Sequence, residues 1–170
     1  MAIRTIVTFP DPVLAKPTSP VSKFDLELKT LVQDMIETMY DAPGVGLAAN
    51  QIGVSSRVAV IDVDYPEDKP KKVYVLINPQ IISLEGKLFE EEGCLSLPGV
   101  HEKVYRAERA TVSFLDLDGK QQTLTGEGFL ARAIQHECDH LDGKLFMDQL
   151  SPLKRSLLKK RYLKQLREES

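Results

Sequence analysis

With 22 Lys and Arg against 25 Asp and Glu, net −3 over 170 residues, the chain as a whole is a poor partner for DNA. Its 42% hydrophobic and 28% charged content suits one globular domain over residues 1–170 with a sizeable core. No stretch approaches the roughly 20 apolar residues of a membrane span, so no membrane is expected.

Met1 to Pro10 holds a lone Arg4 and only a short apolar run, which reads as neither signal nor transit peptide. Pro10-Asp11-Pro12 starts a helix, with Asp11 as N-cap and Pro12 at the first helical position. Pro17 and Pro20 limit it to about a turn. A longer helix begins near Asp25, where Leu28, Leu31, Val32, Met35, Ile36 and Met39 hold the i, i+3, i+4 register. Asp41-Ala42-Pro43-Gly44 ends it. The next segment, Gly44-Val45-Gly46-Leu47-Ala48-Ala49-Asn50-Gln51, is built of small residues and closes on a polar amide. Its glycines let backbone approach a ligand, but it lacks the lysine and spacing of a phosphate loop. A tight connection is the plain alternative.

From Arg57 the pattern turns to β. Val58 to Val63 is a buried-type strand, Val73 to Ile77 a second, and Ile81-Ile82 the start of a third, with charged Asp64 to Lys72 as a loop. Glu91 to Gly99 contains glycines and a proline and calls for neither helix nor strand. Thr111 to Leu115 and Gln122 to Thr125 flank Asp118-Gly119, a hairpin signal. Leu130, Ala133, Ile134, Cys138 and Leu141 then recur at helical spacing between Gly128 and Gly143. A final helix starts near Pro152, with an incomplete stripe of Leu153, Leu157, Tyr162, Leu163 and Leu166. From Ser151 onward seven basic residues face two acidic ones, net +5, leaving the body at −8. A polyanionic partner is therefore expected for the 151–170 helix alone, or else a solvated face.

Inside the penultimate helix lies His136-Glu137-Cys138-Asp139-His140, which uses two of the three histidines in the chain. Residues four apart on a helix bring their Cβ atoms to about 5–6 Å, so both imidazoles reach one metal ion. Glu137 is then near enough to take a proton from water at that ion. Two surface histidines are the plain alternative. A thermolysin-like peptidase needs a glutamate from a downstream helix, and only Glu168 and Glu169 follow, at the chain end. A metzincin needs a histidine where this chain has Phe146. Cys138 lies about 200° around the helix from His136 and faces the core stripe. Cys94 is the first remaining candidate for third ligand and His101 the second. Cys with two His leaves a fourth position for water. With only Cys94 and Cys138 present, no disulfide framework is expected, and a reducing cytoplasm is the expected home. The fold expected is α+β, mainly antiparallel sheets packed around a central H-E-x-x-H helix, with a C-terminal helix.

Three segments together, Gly44 to Gln51, Glu92-Gly93-Cys94-Leu95-Ser96 and Gln135 to His140, resemble the three signature motifs of the peptide deformylases, in the right order. The likeness runs from Asp11-Pro12 to Leu150-Ser151-Pro152-Leu153-Lys154, and the E-G-C-L-S form and helical tail resemble the bacterial type I branch. The resemblance implies removal of the formyl group from the formylmethionine of nascent peptides. It implies Cys94, His136 and His140 as ligands of one divalent ion, usually Fe²⁺, with Zn²⁺, Ni²⁺ or Co²⁺ able to substitute. It further implies Glu137 as proton carrier, and the Leu95 N–H and the Gln51 amide as oxyanion donors. The backbone of Gly44, Val45 and Gly46 would pair with an extended peptide, and Val45, Phe129 and Ala133 would line a methionine pocket, unless they are plain core. Arg106 is expected in a surface ion pair rather than behind the thiolate. The basic helix would dock on ribosomal RNA. The alternatives are an H-E-x-x-H peptidase that cuts peptide bonds and a metal-binding protein without catalysis.

Overall fold

The computed structural model describes residues 2–169. In chain order the elements are α1 (Leu26–Asp41), β1 (Gly46–Ala48), β2 (Val58–Ile61), β3 (Tyr74–Glu85), β4 (Leu88–Cys94) and β5 (Leu97–Arg106). They continue with β6 (Arg109–Leu115), β7 (Gln121–Glu127), α2 (Phe129–Leu141) and α3 (Pro152–Glu169). Asp25 caps α1 by accepting from the Leu28 N–H at 3.1 Å. Asp11 does the same for a 3₁₀ turn over Pro12–Ala15.

Strand β2 explains the layering. All four of its residues are buried, and alternation sends Val58 and Val60 to one face and Ala59 and Ile61 to the other. Helix α1 packs Leu28, Leu31, Val32, Met35 and Met39 against the first face. On the second face Ala131, Ala133, Ile134 and Cys138 of α2 meet Ile61, Leu76, Ala110 and Val112. The five-stranded sheet between the helices is antiparallel throughout, in the order β1-β2-β3-β6-β7. Truncating a wholly buried side chain such as Met35 or Ile134 to alanine should cost about 2–5 kcal/mol.

Strands β4 and β5 form a separate two-stranded sheet. Its inward residues Leu97, Val100 and Val104 pack on Phe146 and Met147 and on Leu158 and Tyr162 of α3. Phe146, the residue that breaks the metzincin pattern, is thus core, at 1% exposure.

Several sequence expectations change. Val73–Ile77 and Ile81–Ile82 belong to one continuous strand, β3. Asn78 sits at φ 52 next to Pro79, and the resulting irregularity in pairing with β6 lets the strand pass the proline. Strand β2 stops at Ile61 rather than Val63, because the Asp62 carboxylate accepts from the N–H groups of Asp64 and Tyr65 and turns the chain. The segment expected to be irregular, Glu91 to Gly99, is the end of β4, a two-residue turn and the start of β5. In α3 the residues that reach the core are Leu158 and Tyr162, whereas Leu153, Leu157 and Leu163 are exposed. The hairpin around Asp118-Gly119 lies where expected, with Gly119 at φ 77.

Candidate metal centre

Two elements meet to build the site. Strand β4 ends on Cys94, and α2 supplies His136 and His140 one turn apart, with Glu137 beside His136. The end of α2 is tied down by side chains: Asn50 Nδ2 donates to the His140 carbonyl at 2.5 Å, and Thr18 Oγ1 to the Leu141 carbonyl at 2.8 Å. Its other face is fixed on the sheet by Ile134 and Cys138. Burial pushes the Cys138 thiol up to about 12, so it is an inert core group.

The Cys94 Sγ and one ring nitrogen each of His136 and His140 lie within 4.8 Å of one another. His140 Nε2 is 3.2 Å from Cys94 Sγ and 3.1 Å from His136 Nε2. One sulfur and two imidazole nitrogens in such proximity are a donor set that suits a first-row transition ion. Burial, and then the neighbouring His136, hold His140 well below its ordinary range.

Behind the histidines lies a charged network. His136 Nδ1 is 2.5 Å from Glu92 Oε1, which leaves Nε2 for the metal side. Glu92 takes two bonds from Arg106, at 2.7 and 3.2 Å, and Arg106 also donates to Asp139 at 2.5 Å. Burial works against the Glu92 charge, but the bonds from His136 and Arg106 outweigh it and bring the carboxyl down to about 2. Burial lowers His136 too, yet Cys94, Glu92 and Glu137 raise it well above its usual value. Arg106, expected at the surface, is 5% exposed, and it supports a histidine through Glu92 rather than the thiolate.

Glu137 is 3% exposed, and its Oε1 has no hydrogen-bond partner among the described residues. Burial lifts its pKa to about 7 against the pull of the His136 and Arg106 charges. A carboxyl poised there both accepts and returns a proton near neutral pH. Gly46 faces it so closely that a Cβ at position 46 would collide with the carboxylate.

A cleft of about 520 Å³ joins these groups, lined among others by Val45, Gln51, Leu95, Phe129 and Ala133. Gln51 is 1% exposed, and its Oε1 accepts from the Ala48 N–H at 3.0 Å. Its Nε2 donates to Ser96 Oγ at 3.1 Å and leans on Cys94 Sγ at 3.7 Å. Leu95 sits in the turn between β4 and β5. Phe129 is 47% exposed at the rim and Ala133 is buried. The Gly44–Gly46 backbone is only partly free for a peptide: the Gly44 N–H donates to Met39, and the Gly44 and Val45 carbonyls accept from Tyr65 and Asp62. His101, the second-choice ligand, is exposed and outside the cluster, with its ring against Gly93.

Sequence reading missed three contributors. Glu92 sits two residues before Cys94, and Ser96 links Gln51 to the Val7 carbonyl at 2.8 Å. Arg132 lines the cleft and donates to the Glu91 carbonyl at 2.7 Å. Only Glu92 left a signal, a carboxylate near a ligand pair.

A model of the polypeptide deformylase family matches residues 3–156. The peptide deformylase of Acidobacterium capsulatum is 54% identical over 167 residues, covering 98% of both chains. Among solved structures, a peptide deformylase from Legionella pneumophila superposes with a TM-score of 0.90 at 51% identity, over 99% of this chain and 98% of that one. One from Ehrlichia chaffeensis in complex with actinonin gives 0.89 at 38% identity, over 97% and 98%.

Proposed function

The chain belongs to the polypeptide deformylase family, and from that premise we propose that Cys94, His136 and His140 hold its metal ion while Glu137 moves the proton. The reaction is the metal-dependent hydrolysis that removes the formyl group from nascent polypeptides. The observation that carries the assignment of residues is the Cys/His₂ donor cluster beside a buried, unpartnered glutamate in one cleft.

An ion held by Cys94, His136 and His140 would supply Lewis acidity and lower the pKa of water, so that hydroxide would be available near neutral pH. The donor set favours a borderline ion, and Fe²⁺ is our assignment, with Zn²⁺, Ni²⁺ or Co²⁺ as substitutes. Glu137 accepts the proton of the attacking water and later delivers it to the leaving amine, giving formate and a free N-terminus. As the carbonyl oxygen gains charge, the Leu95 N–H and Gln51 Nε2 receive it. Among the described residues, only the weak 3.7 Å contact to Cys94 competes for the second Gln51 proton. The methionine side chain enters between Val45, Phe129 and Ala133, and the peptide main chain follows the Gly44–Gly46 wall.

A hydrolase of peptide bonds on the same helix is not favoured, since the position needed for a third histidine is the core residue Phe146. Residues 1–170 act as one catalytic domain, a reading supported by the packing of α1 and α2 on opposite faces of one sheet. Exposed Lys154, Lys160, Arg161 and Lys164 on α3 support docking of residues 151–170 on ribosomal RNA. Among the described residues no helix is long and apolar enough to cross a membrane. The free thiols of Cys94 and Cys138 suit a reducing cytoplasm.

The test is formate release from formyl-Met-Ala-Ser by anaerobically purified, Fe²⁺-loaded protein. Formate should appear in step with the free N-terminus. Cleavage at a peptide bond, or no formate, would overturn the assignment.

A further inference from the structure

The three residues of the cleft wall are held by different means. Gly46 is locked in the β1–β2 ladder opposite Ile61. The Val45 carbonyl accepts from the Asp62 N–H at 2.8 Å. The Gly44 carbonyl instead accepts from a side chain, Tyr65 Oη, at 2.6 Å. Among the described residues this is the one side-chain hydrogen bond to the wall.

Tyr65 is itself tightly aimed. Its ring meets Tyr40 edge-on, with centroids 4.8 Å apart at 88°. Its own N–H donates to Asp62 Oδ1 at 3.3 Å. The other Asp62 oxygen accepts from Tyr40 Oη at 2.5 Å and from the Lys72 N–H at 3.0 Å. Asp62 is fully buried. Helix α1, the end of β2 and the Tyr65–Glu67 turn are thereby joined behind one peptide bond of the wall.

That bond links Gly44 to Val45. In a trans peptide the C=O and the following N–H point in opposite directions. Turning the Gly44 carbonyl toward Tyr65 therefore turns the Val45 N–H away from it. Among the described residues no group accepts from that N–H, and Val45 lines the cleft. A fixed, unpartnered main-chain donor on a cleft wall is what an extended peptide needs.

We propose that Tyr65 is a positioning residue for the peptide part of the substrate: its hydroxyl sets the Gly44–Val45 peptide plane and so presents the Val45 N–H to the substrate main chain. The inference rests on the proposed pairing of substrate with the Gly44–Gly46 wall. It separates binding from chemistry, because Gly46, which faces Glu137, is held by β2 and not by Tyr65.

The test compares two substrates in wild type and Tyr65→Phe. One is formyl-Met-Ala-Ser. The other is the formamide of 3-methylthiopropylamine, which carries the formyl group and the methionine side chain but no peptide main chain. Tyr65→Phe should raise KM for the tripeptide by about two- to tenfold, the worth of one net hydrogen bond, with kcat within about twofold. KM for the formamide should not move. In hydrogen exchange the Gly44 amide, which donates to the Met39 carbonyl, should lose protection. An unchanged tripeptide KM, or a rise shared by the formamide, overturns the role of Tyr65. If wild type binds the tripeptide no better than the formamide, the pairing itself is wrong and the inference falls with it.

Discussion

Glu92 and Asp62 are both buried carboxylates behind the same cleft, but their surroundings differ in kind. Glu92 is ringed by charge, with His136 and Arg106 on its oxygens and Arg132 at 3.6 Å. Asp62 is ringed by neutral donors, namely Tyr40 Oη and the N–H groups of Asp64, Lys72 and Tyr65. Burial opposes the charge of each, and hydrogen bonds outweigh it in each, so both carboxyls lie below their ordinary range. What they reach decides what they do. The first network ends on His136, one of the proposed metal ligands, and the second on the Gly44–Val45 peptide. Damage to the first should appear in metal and turnover, and damage to the second in substrate binding and stability.

The largest effect expected is that of Cys94→Ala, on the Glu92 side. Without the sulfur the site keeps two of the three proposed ligands, and metal content and formate release should fall together to background. Survival of both in metal analysis and assay would remove Cys94 from the ligand set. Glu92→Gln should be milder: it keeps an acceptor for His136 but loses the charge, and metal affinity should drop about 10–100-fold by competition with a chelator. Unchanged affinity would mean that the network is structural only. On the other side, Tyr40→Phe removes a bond to the Asp62 carboxylate and should cost about 1.5 kcal/mol in denaturant unfolding. Its metal content should be that of wild type; lost metal would show the two networks to be one.

Acid sharpens the same contrast. The Glu92 carboxyl falls from an ordinary 4.5 to about 2 in the folded protein. Its stabilisation is therefore present above about pH 4.5 and is lost as pH falls toward 2. Melting temperatures of metal-free wild type and Glu92→Gln should differ above that window and converge within it. A constant difference would mean that Glu92 carries no charge-linked stability.

Much of the chemistry was legible before any coordinates because it rests on local geometry. His136, Glu137 and His140 need only a helix, and the apolar spacing of Ile134, Cys138 and Leu141 announces one. The glycine of Gly44-Val45-Gly46 that sits against Glu137 reads as close backbone approach. The β4–β5 hairpin was hidden because its outward residues, Phe89, Glu91, Lys103 and Tyr105, mix aromatic and charged types across a solvent face. Even so, Val100, Val104 and Arg106 alternate inward in β5, a period-2 pattern masked by the burial of an arginine. Arg106 looked like a surface residue because its carboxylate partners, Glu92 and Asp139, lie 14 and 33 residues away. Tyr65 left no signal at all. Its role depends on one backbone carbonyl 21 residues earlier, and no spacing rule encodes that.

The central claim is that Glu137 moves the proton while Cys94, His136 and His140 hold the ion. Metal content and formate release measured on one preparation of Glu137→Ala test it most directly. The variant should retain about one ion per chain and lose turnover by at least about 10²-fold. Turnover near wild type in the metal-loaded variant would contradict the account.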